Sequence, residues 1–320
     1  CRAFSSLHPN RISITWQWIL TMMSTLKRIA RKLLGADSIV SSIEALSDKI
    51  DRHQAAFGNQ QPRENTSPST APTCRELIAI EYLSGQGIEI GAFASPLQVP
   101  AGIQVAYLDR YKPDEMENEL KVAGLTPKDF GFDPAALIVP DIVDDGESLS
   151  KVGDLTQDFV IANHVLEHFE NPIKGFKNML RVLKHGGVLY VALPEMQHSF
   201  DRIRRPTTFE HVWRDYTDGP AWSRKQAFDE FARVFVDNGM AKDLFPQKSG
   251  AERVEFENYV SSELDRANFS IHFHAWRMID MVEMFVKLKD QLGIAYQIEL
   301  VKANGDEVIF IFRKIPSTIA

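Results

Sequence analysis

Hydrophobic positions recur along this chain in two rhythms, and the change from one to the other marks its organisation. From residue 24 to 35 the apolar Leu26, Ile29, Ala30, Leu33 and Leu34 fall at helical spacing, with Lys27, Arg28, Arg31 and Lys32 opposite. A basic amphipathic helix can lie on an anionic membrane surface, so 24–35 is a candidate peripheral membrane contact; the alternative is a solvated charged face. Next, Ile39, Ile43, Leu46, Ile50 and Phe57 alternate at spacings of four and three, with His53 in the remaining slot. This short heptad stripe predicts a coiled-coil homodimer through 39–57, or else one helix packed on the rest of the chain. Residues 58–73 carry three prolines and almost no large apolar side chain. They read as a flexible linker between an N-terminal helical region, 1–57, and a domain spanning 74–316.

Beyond the linker, short β-branched runs alternate with helical or loop sequence. Strands are predicted at 87–90, 104–108, 136–143, 158–162, 188–193, 296–301 and 307–313. The first five suggest a largely parallel, buried sheet. The last two flank the turn signal Asn304-Gly305 and read as an antiparallel hairpin. Only about a dozen residues, Pro96 and Pro100 among them, separate the first two strands, barely enough for a crossover helix. A long insertion, 195–275, precedes the hairpin.

Composition narrows the partners. Hydrophobic residues make up 44% and charged residues 25%, which suits a globular protein with a sizeable core. The net charge of −7 speaks against a broad nucleic-acid surface. Cys1 and Cys74 are the two cysteines, so neither a disulfide framework nor a cysteine zinc site is expected, and the cytoplasm is the default compartment. The apolar stretch at 12–26 is broken by Ser13, Thr15, Gln17 and Thr21, too polar for a membrane span and laid out unlike a signal peptide. The chain opens on Cys1, and a start at Met22 or Met23 is one reading of that.

The candidate chemistry lies at the strand ends. Gly87-Ile-Glu89-Ile-Gly91 puts an acid in the first strand and a glycine where backbone must approach a ligand. Asp109 ends the second strand as an acceptor for ribose hydroxyls, a geometry shared by several adenosine-type cofactors. Acids of 141–147 close the third, where a carboxylate can accept from an adenine amino group. The fourth signal is the most specific: Asp158-Phe-Val-Ile-Ala-Asn-His-Val-Leu-Glu-His168, then Asn171-Pro172, a helix with Ile173, Phe176, Leu180 and Leu183 on one face, Lys184-His-Gly-Gly187, and an apolar strand.

This block resembles the strand 4–helix–strand 5 segment of the class I S-adenosylmethionine-dependent methyltransferases called type 11, over 85–195 and more loosely to Lys314. The resemblance implies an α/β, Rossmann-like, seven-stranded sheet with an antiparallel closing hairpin, and S-adenosyl-L-methionine as cofactor. It implies Glu89 and Gly91 at the methionine end, Asp109 on the ribose, Asp145 and the Gly146 amide facing adenine, and Asn163 and His164 on the floor beside the sulfonium. The family's second and third glycines are replaced in Gly91-Ala-Phe-Ala-Ser-Pro96, so the carboxylate end of the cofactor must be held differently.

Rival readings are a zinc protease, from the HxxEH spacing of His164–His168, and an NAD dehydrogenase. The block is explained without a metal, and there is no GxGxxG turn, so no metal site is expected. A scaffold that has lost its cofactor is the remaining alternative. In this fold, insertions such as 195–275 commonly cover the acceptor pocket. This one holds Arg202, Arg204, Arg205 and Arg214, suited to an anionic group on the acceptor, and His198, His211, His272 and His274. An oxygen acceptor must lose its proton to a base that titrates near neutrality. The expectation is therefore O-methylation of a polar small molecule or glycan, with His211 as first candidate base and His274 as second. The run 271–276 is expected to be core at the start of the next helix.

Overall fold

The computed structural model describes residues 72–115, 136–237, 250–266 and 268–316. The basic helix at 24–35, the heptad stripe at 39–57 and nearly all of the linker at 58–73 lie outside the described residues. Helix α1 (Cys74–Tyr82) starts on a capping box, with the Thr73 hydroxyl accepting from the Glu76 N–H and the Glu76 carboxylate from the Thr73 N–H.

Five strands run parallel: β1 (Gln86–Ile90), β2 (Gln104–Asp109), β3 (Ile142–Val143), β4 (Gln157–Asn163) and β5 (Leu183–Pro194). Strands β6 (Tyr296–Asn304) and β7 (Glu307–Lys314) close the sheet antiparallel, in the order β3-β2-β1-β4-β5-β7-β6. The turn between them has Gly305 in the left-handed region, φ 70°, and Asn304 pairs with Glu307.

Both faces of the sheet are covered, which is why 159–162 of β4 and 188–193 of β5 read as unbroken apolar runs. Val160, Ala162, Leu189 and Val191 face helix α2 (Pro172–Val182) and helix α6 (Met278–Leu292), through Phe176, Leu180 and Phe285. Phe159, Ile161, Tyr190 and Ala192 face α1. At Gly87 a β-carbon would lie 2.3 Å from the Phe159 carbonyl oxygen. Backbone cannot yield as a side-chain tip can, so Gly87→Ala should lower stability by about 1–3 kcal/mol or more, read as a shift in denaturant midpoint.

One expectation needs correction here. The strand expected over 136–143 shrinks to Ile142–Val143, which pairs with Leu108 and Asp109. Pro140 has no N–H to give a ladder, the Asp141 carboxylate takes the Tyr107 N–H at 2.8 Å, and Ile138 donates to Phe93 in the loop after β1. Asp141 therefore precedes the strand and does not close it. Between β1 and β2 there is no helix: 91–103 cross as irregular chain.

The insertion leaves the sheet at Glu195 and returns at Trp276, which form an isolated parallel bridge. Helices α3 (Phe209–Asp218), α4 (Ala221–Asp237) and α5 (Ala251–Arg266) lie between. Phe228, Phe231, Phe235, Phe256, Val260 and Leu264 give it a core of its own. Within 271–276, Ile271, His272, His274, Ala275 and Trp276 are buried in irregular chain just before α6 begins at Met278. Among the described residues no helix is long and apolar enough to cross a membrane.

Candidate active site

The order of the parallel strands reverses between β1 and β4, so the chains leaving their C-terminal ends diverge and open a crevice, the usual ligand position in such sheets. The ends of β1, β2, β3 and β4 bring Gly91, Asp109, Asp145 and Asn163 to this one edge. Ladder bonds carry on past the strands: Gly91 N–H to Leu108 O, Asp144 N–H to Asp109 O, and His164 N–H to Ala192 O.

Gly91 has φ 65°, a conformation that costs a side-chain-bearing residue. Glu89 lies behind it, 1% exposed, and both its carboxylate oxygens accept from the Leu97 N–H, at 3.0 and 3.2 Å. Burial lifts its carboxyl to about 7, against the pull of Leu97 and of Arg75. Glu89 thus braces the 91–97 loop from inside.

Asp109 is half-buried, and Oδ1 accepts from the Arg110 N–H at 2.6 Å. Burial raises its pKa, partly offset by the Arg110 and Tyr111 N–H groups. Asp109→Ala should weaken cofactor binding by about 1.5–3 kcal/mol, the scale for hydrogen bonds to a charged acceptor, and leave melting nearly unchanged. Unchanged binding with collapsed melting, measured by calorimetry and thermal denaturation, would make Asp109 structural.

The loop after β3 is built on Asp144, whose carboxylate accepts from Ser150 Oγ and from the Lys151 and Asp145 N–H groups. Those bonds leave the Asp145 side chain 45% exposed, 3.9 Å from Arg110. At Gly146 a β-carbon would meet Ile90 Cγ2 at 2.8 Å, so the loop lies against β1 as only glycine allows.

Asn163 is the sharpest signal. It is buried, yet neither its amide nitrogen nor its amide oxygen has a hydrogen-bond partner. A buried amide left this way is costly unless something polar comes to it. His164, φ 54°, swings to Glu307, with Nε2 2.9 Å from Oε2. Glu307 also accepts from Arg75 and from Asn304 Nδ2. Burial alone would raise the Glu307 carboxyl, but hydrogen bonds from Arg75 and His164 hold it at about 2. Local sequence gave no hint of this junction, because its members come from α1, β4 and β7.

These residues fit an adenosylated sulfonium amino acid: a carboxylate for ribose hydroxyls, a glycine turn for close backbone approach, and an orphaned amide on the floor. A dinucleotide pyrophosphate rests on a GxGxxG turn and the N-terminus of the helix that follows it, and here β1 is followed by irregular chain over 91–103 without that turn.

The insertion contributes a second group. Asn171 caps α2 through the Lys174 N–H, takes its own N–H to Glu147, and donates Nδ2 to the Asp215 carbonyl at 2.9 Å. This ties α3 to the motif after β4. His211 is part-exposed, with Nε2 3.3 Å from Asp215 Oδ2 and its ring against Trp222. His274 sits behind, 2% exposed, Nε2 3.8 Å from the same oxygen and its ring stacked on Trp276. Burial pushes its pKa down to about 3, so it stays neutral. Asp215 is fully buried, with Oδ1 accepting from Ser223 Oγ at 2.7 Å. Its i,i+4 spacing from His211 was readable in sequence; its partnership with His274 was not.

The arginine expectation is corrected at Arg204. Its guanidinium is buried and donates to Asp201, Glu230 and the carbonyls of His272 and Phe273, leaving it no reach to an acceptor. Arg214 pairs with Asp218 and covers the Trp222 ring. Arg202 and Arg205 are exposed.

Residues 91–191 match the family model described as a methyltransferase domain of type 11. No curated protein matches the sequence. Similar solved structures include a putative S-adenosylmethionine-dependent methyltransferase from Methanococcus maripaludis, 14% identical over 98% of this chain and 100% of that one, TM-score 0.38. Another, from Thermotoga maritima and described as a possible histamine N-methyltransferase, is 16% identical over 75% and 88%, TM-score 0.36. A protein from Pyrococcus horikoshii is 16% identical over 72% and 82%, TM-score 0.36.

Proposed function

We propose that this chain, whose residues 91–191 match a methyltransferase domain model and whose sheet has the order β3-β2-β1-β4-β5-β7-β6, is an S-adenosylmethionine-dependent methyltransferase that methylates a hydroxyl oxygen on a polar small molecule or glycan. The single observation that carries the finer reading is the His211–Asp215 pair on α3. A part-exposed imidazole stands against a fully buried carboxylate, on a helix tied to the motif after β4. Its neighbour His274 is enclosed and uncharged, so His211 is the base.

Bound S-adenosylmethionine supplies an electrophilic methyl group on sulfur. The Asp109 carboxylate would accept from its ribose hydroxyls, Asp145 and the Gly146 amide would face its adenine, and Glu89 would hold the turn at Gly91 for its methionine end. The Asn163 amide and His164 form the floor, with His164 fixed by Glu307. The insertion covers the acceptor and excludes water, so that the acceptor oxygen is lined up with the methyl carbon. With His211 Nε2–H toward Asp215, Nδ1 would take the hydroxyl proton as the carbon–oxygen bond forms and the methyl carbon–sulfur bond breaks, with S-adenosylhomocysteine leaving as the neutral thioether. Asp215 orients the ring and stabilises the imidazolium. The chain works as an enzyme in the cytoplasm, with membrane contact through 24–35 and pairing through 39–57 as further expectations.

The test is release of S-adenosylhomocysteine over a panel of hydroxyl, amine and carbon acceptors. Oxygen-methylated products are expected; a product methylated solely on nitrogen or carbon would overturn the acceptor class.

A further inference from the structure

After β4 the chain brings together three residues that neither the cofactor edge nor the His211–Asp215 pair uses. Glu167, His168 and His272 each place a potential ligand atom within 4.8 Å of the others. The two imidazoles meet edge to face, with ring centroids 4.7 Å apart.

Each ring is held from behind. His168 Nδ1 lies 3.0 Å from the Ile271 carbonyl oxygen and 3.2 Å from Ser270 Oγ. A carbonyl only accepts, so Nδ1 carries the proton, and Nε2, 3.9 Å from Glu167 Oε1, keeps its lone pair. His272 donates from Nδ1 to Asp201 Oδ2 at 2.6 Å, and Arg204 fixes that carboxylate from its other oxygen. A ring N–H given to a carbonyl or carboxylate is the outer support that metal-ligating histidines have.

The second observation is Glu167 itself. It is 0% exposed, and neither carboxylate oxygen has a hydrogen-bond partner. Burying a carboxylate without a partner is among the costliest things a core can do. Such a group calls for a cation, and no lysine or arginine reaches it among the described residues. Two imidazole nitrogens lie within 4 Å of it, His164 Nδ1 at 3.7 Å and His168 Nε2 at 3.9 Å.

We propose that Glu167, His168 and His272 bind one divalent first-row transition ion, with zinc the best matched. Two imidazoles and one carboxylate are a usual zinc set, whereas magnesium and calcium want oxygen ligands throughout. The ion would clamp the loop after β4 to 271–276, the segment by which the insertion returns to the sheet. This revises the sequence expectation of no metal and does not depend on the acceptor class. It also differs from the HxxEH pattern, because His164 turns to Glu307 and His272 takes its place.

The test uses the full chain, stripped with chelator and titrated with Co²⁺. One equivalent should bind with the visible absorption of a four- or five-coordinate site, Zn²⁺ should displace it, and Zn²⁺ should raise the melting temperature. Glu167→Gln keeps the shape and removes the anionic ligand. It should lose about a hundredfold or more in Zn²⁺ affinity, yet melt in chelator no lower than the wild type, since an unpaired buried charge is gone. Absence of both the Co²⁺ spectrum and the Zn²⁺ shift in the wild type would overturn the proposal, even if the variant fails to fold. So would a spectrum that survives Glu167→Gln and vanishes in Asp215→Asn, which would put the ion at His211, Asp215 and His274.

Discussion

Replacing His211 by alanine is expected to lower turnover by about a hundredfold to ten-thousandfold while leaving S-adenosylhomocysteine affinity within about twofold. The separation follows from placement. The proposed cofactor contacts sit at the ends of β1 to β4, whereas His211 lies on α3 in the insertion, linked to them through Asn171 and the Asp215 backbone. The imidazole stands against Asp215 Oδ2 at 3.3 Å, so its loss removes a proton acceptor without opening the core. Steady-state rates with calorimetry on the same variant read the two effects apart. Full activity would move the search to His274, whose burial makes it the poorer base. Full activity in both variants would leave the histidine mechanism without support.

The second large effect concerns stability. Glu307→Ala should destabilise the chain by about 3 kcal/mol at pH 7, since it leaves the Arg75 guanidinium and His164 without their shared carboxylate. The folded pKa of about 2 lies below the ordinary 4.5. The unfolded state therefore binds the proton first, and the contribution is fully present above about 4.5 and lost as pH falls through about 2. Urea midpoints of wild type and variant should differ most at neutral pH and converge on acidification, with more than half of the gap gone near pH 3. A gap independent of pH would mean that the effect is lost packing and not lost charge. Because Glu307 holds His164 in a left-handed conformation, the variant should also bind cofactor more weakly.

Sequence pattern revealed the sheet where local chemistry dictates it. Strands β4 and β5 carry unbroken apolar runs, 159–162 and 188–193, because helices cover both faces there, and Asn304-Gly305 marks the closing turn because glycine takes the positive φ there. Pattern failed at 136–143, where β-branched residues suggest a strand but Pro140 and the Asp141–Tyr107 bond keep the ladder from starting before Ile142. At the site, Asp109 and Asn163 are strand-end residues and so could be placed by counting. Glu307 could not, since Arg75 lies 232 residues away and His164 lies 143 away. Arg204 looked like an anion clamp because sequence shows charge and not burial; Asp201, Glu230 and two carbonyls consume it. The same blindness hid Glu167, which reads as one more acid beside a histidine until its burial is seen.

The measurement that bears most directly on the central claim is calorimetric titration of the full chain with S-adenosylhomocysteine, with NAD as the control. Binding on the order of micromolar is expected, with a matching rise in melting temperature and a tenfold or greater loss, on the order of 1.5–3 kcal/mol, in Asp109→Ala. No heat and no thermal shift at millimolar S-adenosylhomocysteine, with NAD binding instead, would contradict it.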